Sequence, residues 1–217
     1  ITADRRGATL FLKAPLRFGQ SVEFRGNLSV IAVRRQLKGP CIGVEKDFVV
    51  QPGAELRFAK CHNQRGSGGA MQVDGNLFIH GDLHIRNCSA CHGGAISVVE
   101  TFTHFDGTLT IANSLAEYNG GAISVGETFT QSNGTVTIAN SWAAIHGGAI
   151  DANTFIQSDG TLTIANSSAE RVGGAIYVRE TFTQLNGTVT IANSSAVKYG
   201  GAMYVETFIQ SDGTLTI

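Results

Sequence analysis

The tripeptide Gly-Gly-Ala recurs with its first glycine at Gly68, Gly93, Gly120, Gly147, Gly173 and Gly200, at steps of 25, 27, 27, 26 and 27 residues. A period in this range marks a chain built from stacked supersecondary units, so it constrains the fold more than any local motif. Other positions keep the same step. Phe102, Phe129, Phe155, Phe182 and Phe208 form one series, and Asn87, Asn113, Asn140, Asn166 and Asn193 form another. A complete unit reads GGAIYVRETFTQLNGTVTIANSSAVKY.

Within the unit the apolar residues alternate with period two. Ile176 and Val178 flank Tyr177, Phe182 lies between Thr181 and Thr183, and Val189 and Ile191 alternate with Thr188 and Thr190. The pattern predicts three short strands per unit, each with one apolar face, separated by corners such as Asn186-Gly187. No segment has the spacing of an amphipathic helix. Such a unit is a single ring of chain and cannot bury its apolar sides alone. Stacking the rings at about 4.8 Å puts the inward side chains into columns. Parallel crossovers are right-handed as a rule. The expected fold is therefore an all-β, right-handed parallel β-helix, a three-sided solenoid of about eight rungs of about 27 residues.

The ends of the chain differ in character. Residues 1–65 carry 12 Lys and Arg against 5 Asp and Glu, and all three prolines; residues 66–217 carry 4 against 12. In the first segment Gly39 to Val44 stands where Gly-Gly-Ala-Ile would, Leu56 and Phe58 match the later Leu-x-Ile pair, and Leu28 and Val30 fall at the same offset. Residues 1–65 thus read as a basic, degenerate cap and first rungs, and 66–217 as regular repeats of the same solenoid. Charge and proline suit an exposed sheet edge. The chain stops within a ring at SDGTLTI, which suggests a piece of a longer array or of a larger assembly.

The string Cys88-Ser89-Ala90-Cys91-His92 has the form that attaches c-type haem. Repeat register argues otherwise, because Cys88 falls at the position of Ser114, Ser141, Ser167 and Ser194, and Cys91 and His92 fall in a variable corner. Closely spaced rings offer no porphyrin-sized pocket, so no cofactor is expected. A zinc set from Cys61, His62, Cys88, Cys91 and His92 is a weaker reading. A solenoid already held by its core needs no structural metal. Cys61 and Cys88 are one repeat apart, and stacked positions lie within disulfide reach, so this pair is the disulfide candidate in an oxidising compartment; free thiols remain the alternative. Cys41 sits at the alanine position of Gly-Gly-Ala and reads as a small buried residue. The expected location is accordingly outside the reducing cytosol, in an organelle lumen such as the thylakoid or at the cell surface.

Three function classes compete. Thr108 and Thr110, Thr135 and Thr137, Thr161 and Thr163, Thr188 and Thr190, and Thr214 and Thr216 form an outward Thr-x-Thr ladder. Its spacing is about 6.7 Å along each strand. Flat arrays of this kind resemble the ice-binding face of β-solenoid antifreeze proteins, although threonine favours exposed strand positions in any case. Catalysis, as in β-helical pectate lyases and polygalacturonases, needs clustered carboxylates. The outward positions of the first strand read as Gln72, Ser97, Ser124, Ala152, Tyr177 and Tyr204, with Asp151 standing alone nearby. The chain is therefore expected not to be an enzyme. Asn27, Asn87, Asn133, Asn166, Asn186 and Asn193 fit the glycosylation sequon, but the Asn series is more simply read as amides bonding along the stack.

The Gly-Gly-Ala-Ile units of residues 68–217 resemble the tandem repeats of polymorphic outer-membrane proteins and related β-helical autotransporter passengers, with Ile111-x-Asn113 and Ile164-x-Asn166 in place of the family's Phe-x-x-Asn. The units also resemble repeats of uncharacterised proteins of unicellular algae. The resemblance implies the fold and a non-enzymatic surface role. The reading that follows is a structural scaffold binding other proteins, an accessory subunit of a larger assembly such as a photosynthetic membrane complex; the alternative is a secreted or surface adhesin-like protein. Arg5, Arg6, Arg17, Arg25, Arg34, Arg35 and Lys38 are the interaction candidates, suited to an acidic protein partner. Membrane contact is expected only by association, and nucleic acid is not expected, since no aromatic platform is interleaved with these cations.

Overall fold

The computed structural model describes residues 8–32 and 39–217. Alternation does what period two requires. In Thr135–Ala143, Val136 and Ile138 are fully buried while Thr135 is exposed and Thr137 half-buried. Each such strand pairs in parallel with the equivalent strand of the next turn. Leu28 lies over Leu56, then Leu83, Leu109, Val136, Leu162, Val189 and Leu215. The result is an all-β solenoid of about seven turns of about 27 residues. A shorter step of 20 residues, from Ala8 to Leu28, precedes them.

Among the described residues, two twelve-stranded parallel sheets make the walls. The first and second strands of each turn lie in one sheet. In the fourth turn they are separate, Ile96–Val98 and Phe102–His104; from Ile123–Gln131 onward they fuse into one bent strand. The third strands make the other sheet, among them Glu55–Ala59, Asp82–Ala90, Thr108–Ala116, Thr161–Ala165 and Thr188–Ala192. We call the outer surface of this sheet the third face.

The structure adds an element to the three strands predicted per turn. The third strand bends at Asn87, Asn113 and Asn140 and ends just before Asn166 and Asn193, and all five have φ values of 50–55°. Asparagine tolerates this left-handed region better than most residues. The chain then resumes pairing as Ser114–Ala116 on Ser141–Ala143, followed by Ser168–Ala169 and Ser195–Ala196. The turning asparagines are laced together: Asn113 Nδ2 donates to Asn87 Oδ1 at 3.2 Å, Asn140 to Asn113 at 3.1 Å and Asn166 to Asn140 at 3.2 Å.

The two glycines of the repeat do different jobs. The first takes positive φ, as at Gly120 (63°). The second has no room for a side chain; a Cβ on Gly94 would lie 2.2 Å from the Gly121 carbonyl oxygen of the next turn. The alanine that follows, as Ala95 or Ala122, is fully buried.

The core is a set of columns. Phe102, Phe129, Phe155 and Phe182 are fully buried and stack face to face with centroids 4.8, 4.8 and 4.6 Å apart, while Phe208 meets Phe182 edge-on and stays 37% exposed. Two residues further along the same strands runs a polar column, His104, Gln131, Gln157 and Gln184, also fully buried. Its amide nitrogens donate to backbone carbonyls and neighbouring amides, while Gln131 Oε1 and His104 Nε2 are buried without a partner among the described residues. Gln157 Nε2 donates to the Thr188 carbonyl at 3.2 Å, and Gln184 Nε2 donates to Gln157 Oε1 at 3.1 Å. Burial pushes the His104 imidazole down to about 4.

Candidate interaction faces

The threonine ladder is held by the wall it stands on. Thr108, Thr135, Thr161, Thr188 and Thr214 are in register, as are Thr110, Thr137, Thr163, Thr190 and Thr216, and beside them Ala112, Ala139, Ala165 and Ala192. Their inward neighbours Leu109, Ile111, Val136, Ile138, Leu162 and Ile164 have no exposed area, so the backbone under the columns is fixed from both sides. The product is an uncharged patch with three columns reading Thr, Thr, Ala.

In the preceding turns the same columns carry charge. Glu55, Arg57 and Ala59 stand in register with Asp82, His84 and Arg86, and these with Thr108, Thr110 and Ala112. Glu55 bonds the Arg57 guanidinium and lies 3.4 Å from His84 Nε2. Asp82 Oδ1 accepts from the Thr108 backbone amide at 2.8 Å. A cavity of about 260 Å³ opens here, lined by Ile31, Arg57, Ala59, His84, Arg86 and Thr110 among others.

The cysteines correct the expected pairing. Cys88 does stack on Cys61, as the Ser89 amide bond to the Cys61 carbonyl at 2.9 Å shows. Yet Cys61 is bonded to Cys41, with Cα atoms 5.8 Å apart and a sequence separation of 20. Stacked side chains on a parallel wall point the same way, whereas Cys41 and Cys61 lie at the two ends of one turn and meet inside it. Cys41, read as merely small and buried, is therefore a disulfide partner. Cys88 is free and buried, its thiol donating toward the Arg86 carbonyl at 3.4 Å and pushed up to about 12 by burial. Cys91 is free and half-exposed; burial and the Glu117 carboxylate raise its thiol. The zinc set is not assembled. His62 Nδ1 bonds Ser89 Oγ at 2.8 Å, His92 stacks on Tyr118, and no three metal-binding side chains converge among the described residues.

The outward column of the first strands also differs from expectation. Asp151, not Ala152, stands between Ser124 and Tyr177, and Ala152 points inward with no exposed area. The one-residue shortening of this turn falls after Ala152, where the pairing shifts, so it leaves the strand before it in register. Asp151 is 2% exposed; Arg179 Nη2 donates to its Oδ2 at 3.3 Å and Arg179 Nη1 to Asn153 Oδ1 at 2.8 Å. Desolvation pushes the Asp151 carboxyl up to about 6, against the opposing pull of Arg179. Beside it His146, Tyr177 and Tyr204 stack at 4.4 and 5.5 Å. Counting forward from Gly147 along Gly-Gly-Ala-Ile is the signal that places Asp151 outward.

Of the basic candidates, Arg17 is exposed in register with Gly43, and Arg25 is exposed and pairs with Glu23 at 3.1 Å. Arg5, Arg6, Arg34, Arg35 and Lys38 lie outside the described residues. No protein-family model, curated protein or solved structure matches this chain.

Proposed function

We propose that this chain is a non-catalytic scaffold that binds other proteins along its long faces, as an accessory part of a larger assembly. The observation that supports this reading is the third face, where the same outward side chains recur turn after turn on a wall whose backbone groups are already paired. Binding to such a surface costs little ordering of the scaffold itself, which is the usual benefit of preorganisation. The Cys41–Cys61 disulfide favours a compartment outside the reducing cytosol. Crosslinking in native extract tests the proposal: defined protein neighbours on the wild-type chain, lost when Thr137 and Thr163 are both changed to Glu, support it, and a chain that crosslinks to nothing overturns it.

A second reading, ice binding, is favoured by one specific observation: the two threonine columns keep register through Thr108 to Thr216 without an intervening charge. Thermal hysteresis in dilute solution, abolished by Thr137→Lys with Thr163→Lys, is the expected result under that reading. Absence of hysteresis removes it.

A further inference from the structure

The charged start of the third face is the place where its ladder is broken, and the break has a definite chemistry. Arg86 stands between Ala59 on the turn before and Ala112 on the turn after. Neither neighbour in its column brings charge or reaches as far outward as the guanidinium. The acids in the neighbouring column of this wall are engaged: Glu55 bonds Arg57 and lies by His84, and Asp82 caps the Thr108 amide. Among the described residues Arg86 makes no ion pair, and it is exposed.

The cavity of about 260 Å³ lies against this guanidinium. Its lining combines the Arg57 and Arg86 cations with Ser29 and Thr110 hydroxyls and the apolar surfaces of Ile31, Ala59 and Ala112. A second hollow of about 240 Å³ adjoins it and shares Ser29 and Arg57. Planar, doubly donating guanidinium suits a carboxylate, which it holds by two parallel bonds. The apolar lining suits the methylenes of an acidic side chain, and the Thr and Ala columns continue in register from it.

We propose that this cavity is a notch for an acidic side chain of a partner protein, with Arg86 as the fork that holds the carboxylate and the threonine columns as the ground over which the partner segment continues. Charge complementarity carries the choice of occupant, since the lining of this cavity includes Arg57, His84 and Arg86 and no carboxylate. The proposal rests on the scaffold reading above and adds to it the partner's chemistry and the residue that recognises it.

The test is a titration of the full chain with a short labelled peptide of alternating glutamate and alanine. Salt-sensitive binding is expected, weakened about tenfold or more by Arg86→Glu, as removal of a charge partner at an interface does. Arg25→Glu, which alters an exposed cation away from the notch, is expected to change it less than about twofold. Absence of binding, or equal weakening by the two substitutions, overturns the notch. Glutarate that competes as well as the peptide and is equally sensitive to Arg86→Glu overturns the protein partner in favour of a small-molecule anion. Circular dichroism of both variants guards against misfolding. Repeating the native-extract crosslinking with Arg86→Glu separates the two readings: neighbours that persist leave the scaffold standing without the notch, whereas a wild-type chain with no neighbours removes the scaffold itself.

Discussion

Cys88 lies directly over Cys61 in the next turn, but Cys61 is bonded to Cys41, which precedes it by 20 residues. The bond closes a single turn on itself and leaves the stack without a covalent link between turns. Closing a loop of this length stabilises by about 3 kcal/mol in the chain-entropy view. Cys41→Ala is therefore expected to lower unfolding stability by about that amount. Cys88→Ser, which installs the residue found at Ser114 and Ser141, is expected to cost less than about 1 kcal/mol. Peptide mapping under non-reducing conditions checks the pairing; a Cys61–Cys88 peptide contradicts it.

Thiol reactivity should separate the two free cysteines. Cys91 is half-exposed, while the Cys88 thiol is buried and held at about 12. An alkylating reagent at neutral pH is expected to label Cys91 in the folded protein and Cys88 only after denaturation. Equal labelling of both in native conditions contradicts the burial of Cys88.

Phe155 fills its column completely and Phe208 does not. Truncating Phe155 to alanine leaves a cavity between two stacked rings and is expected to cost about 3 to 5 kcal/mol. Phe208→Ala should cost less than half as much, because part of its area is never removed from water. Equilibrium denaturation of the two variants measures the difference, and equal losses contradict the stacking.

Asn140 combines a left-handed backbone with two bonds in the asparagine ladder. Asn140→Gly keeps the backbone at ease and loses only the amide bonds, whereas Asn140→Ala loses the bonds and adds strain of about 1 kcal/mol. Alanine should thus be the more destabilising substitution. The reverse order in thermal unfolding is incompatible with φ near 53° at this corner.

Asp151 gives the fold a pH dependence of unusual sign. Its folded carboxyl is raised to about 6 from an ordinary 3.8, so between those values the folded state holds the proton more tightly than the unfolded chain. Its contribution is therefore full below 3.8 and is lost as pH rises through about 6. The stability of wild type relative to Asp151→Asn should fall across that window. A flat difference means that the carboxyl is not desolvated. Arg179→Met removes the one cation bonded to it and should move the transition to higher pH.

What the sequence made legible was whatever repeats in period two. The inward Leu, Val, Ile and Phe columns, the outward threonines and the asparagine ladder all follow from alternation plus a fixed step, because in a parallel stack equal positions must touch. The Ser114–Ala116 strand was hidden because its inward residues are small and polar or neutral, and so carry no hydrophobic signal. Gln131 and Gln157 were hidden for a related reason: alternation from Phe129 and Phe155 puts them inside, but polarity argues for outside, and only the carbonyl oxygens across the wall resolve the conflict. The Cys41–Cys61 bond depends on where one turn closes, which a linear repeat does not encode.

The shortened turn around Asp151 carries a broader lesson. Where the pairing shifts between Val125 and Thr128, one residue fewer on the facing chain leaves Ile123 over Ile150 and Phe129 over Phe155. The bend thus works as slack: length can be lost there, and by the same token added, while both flanking columns keep their places. This bend is the natural point at which to splice foreign sequence into the rod, turning each turn into a display position at a fixed interval along its length.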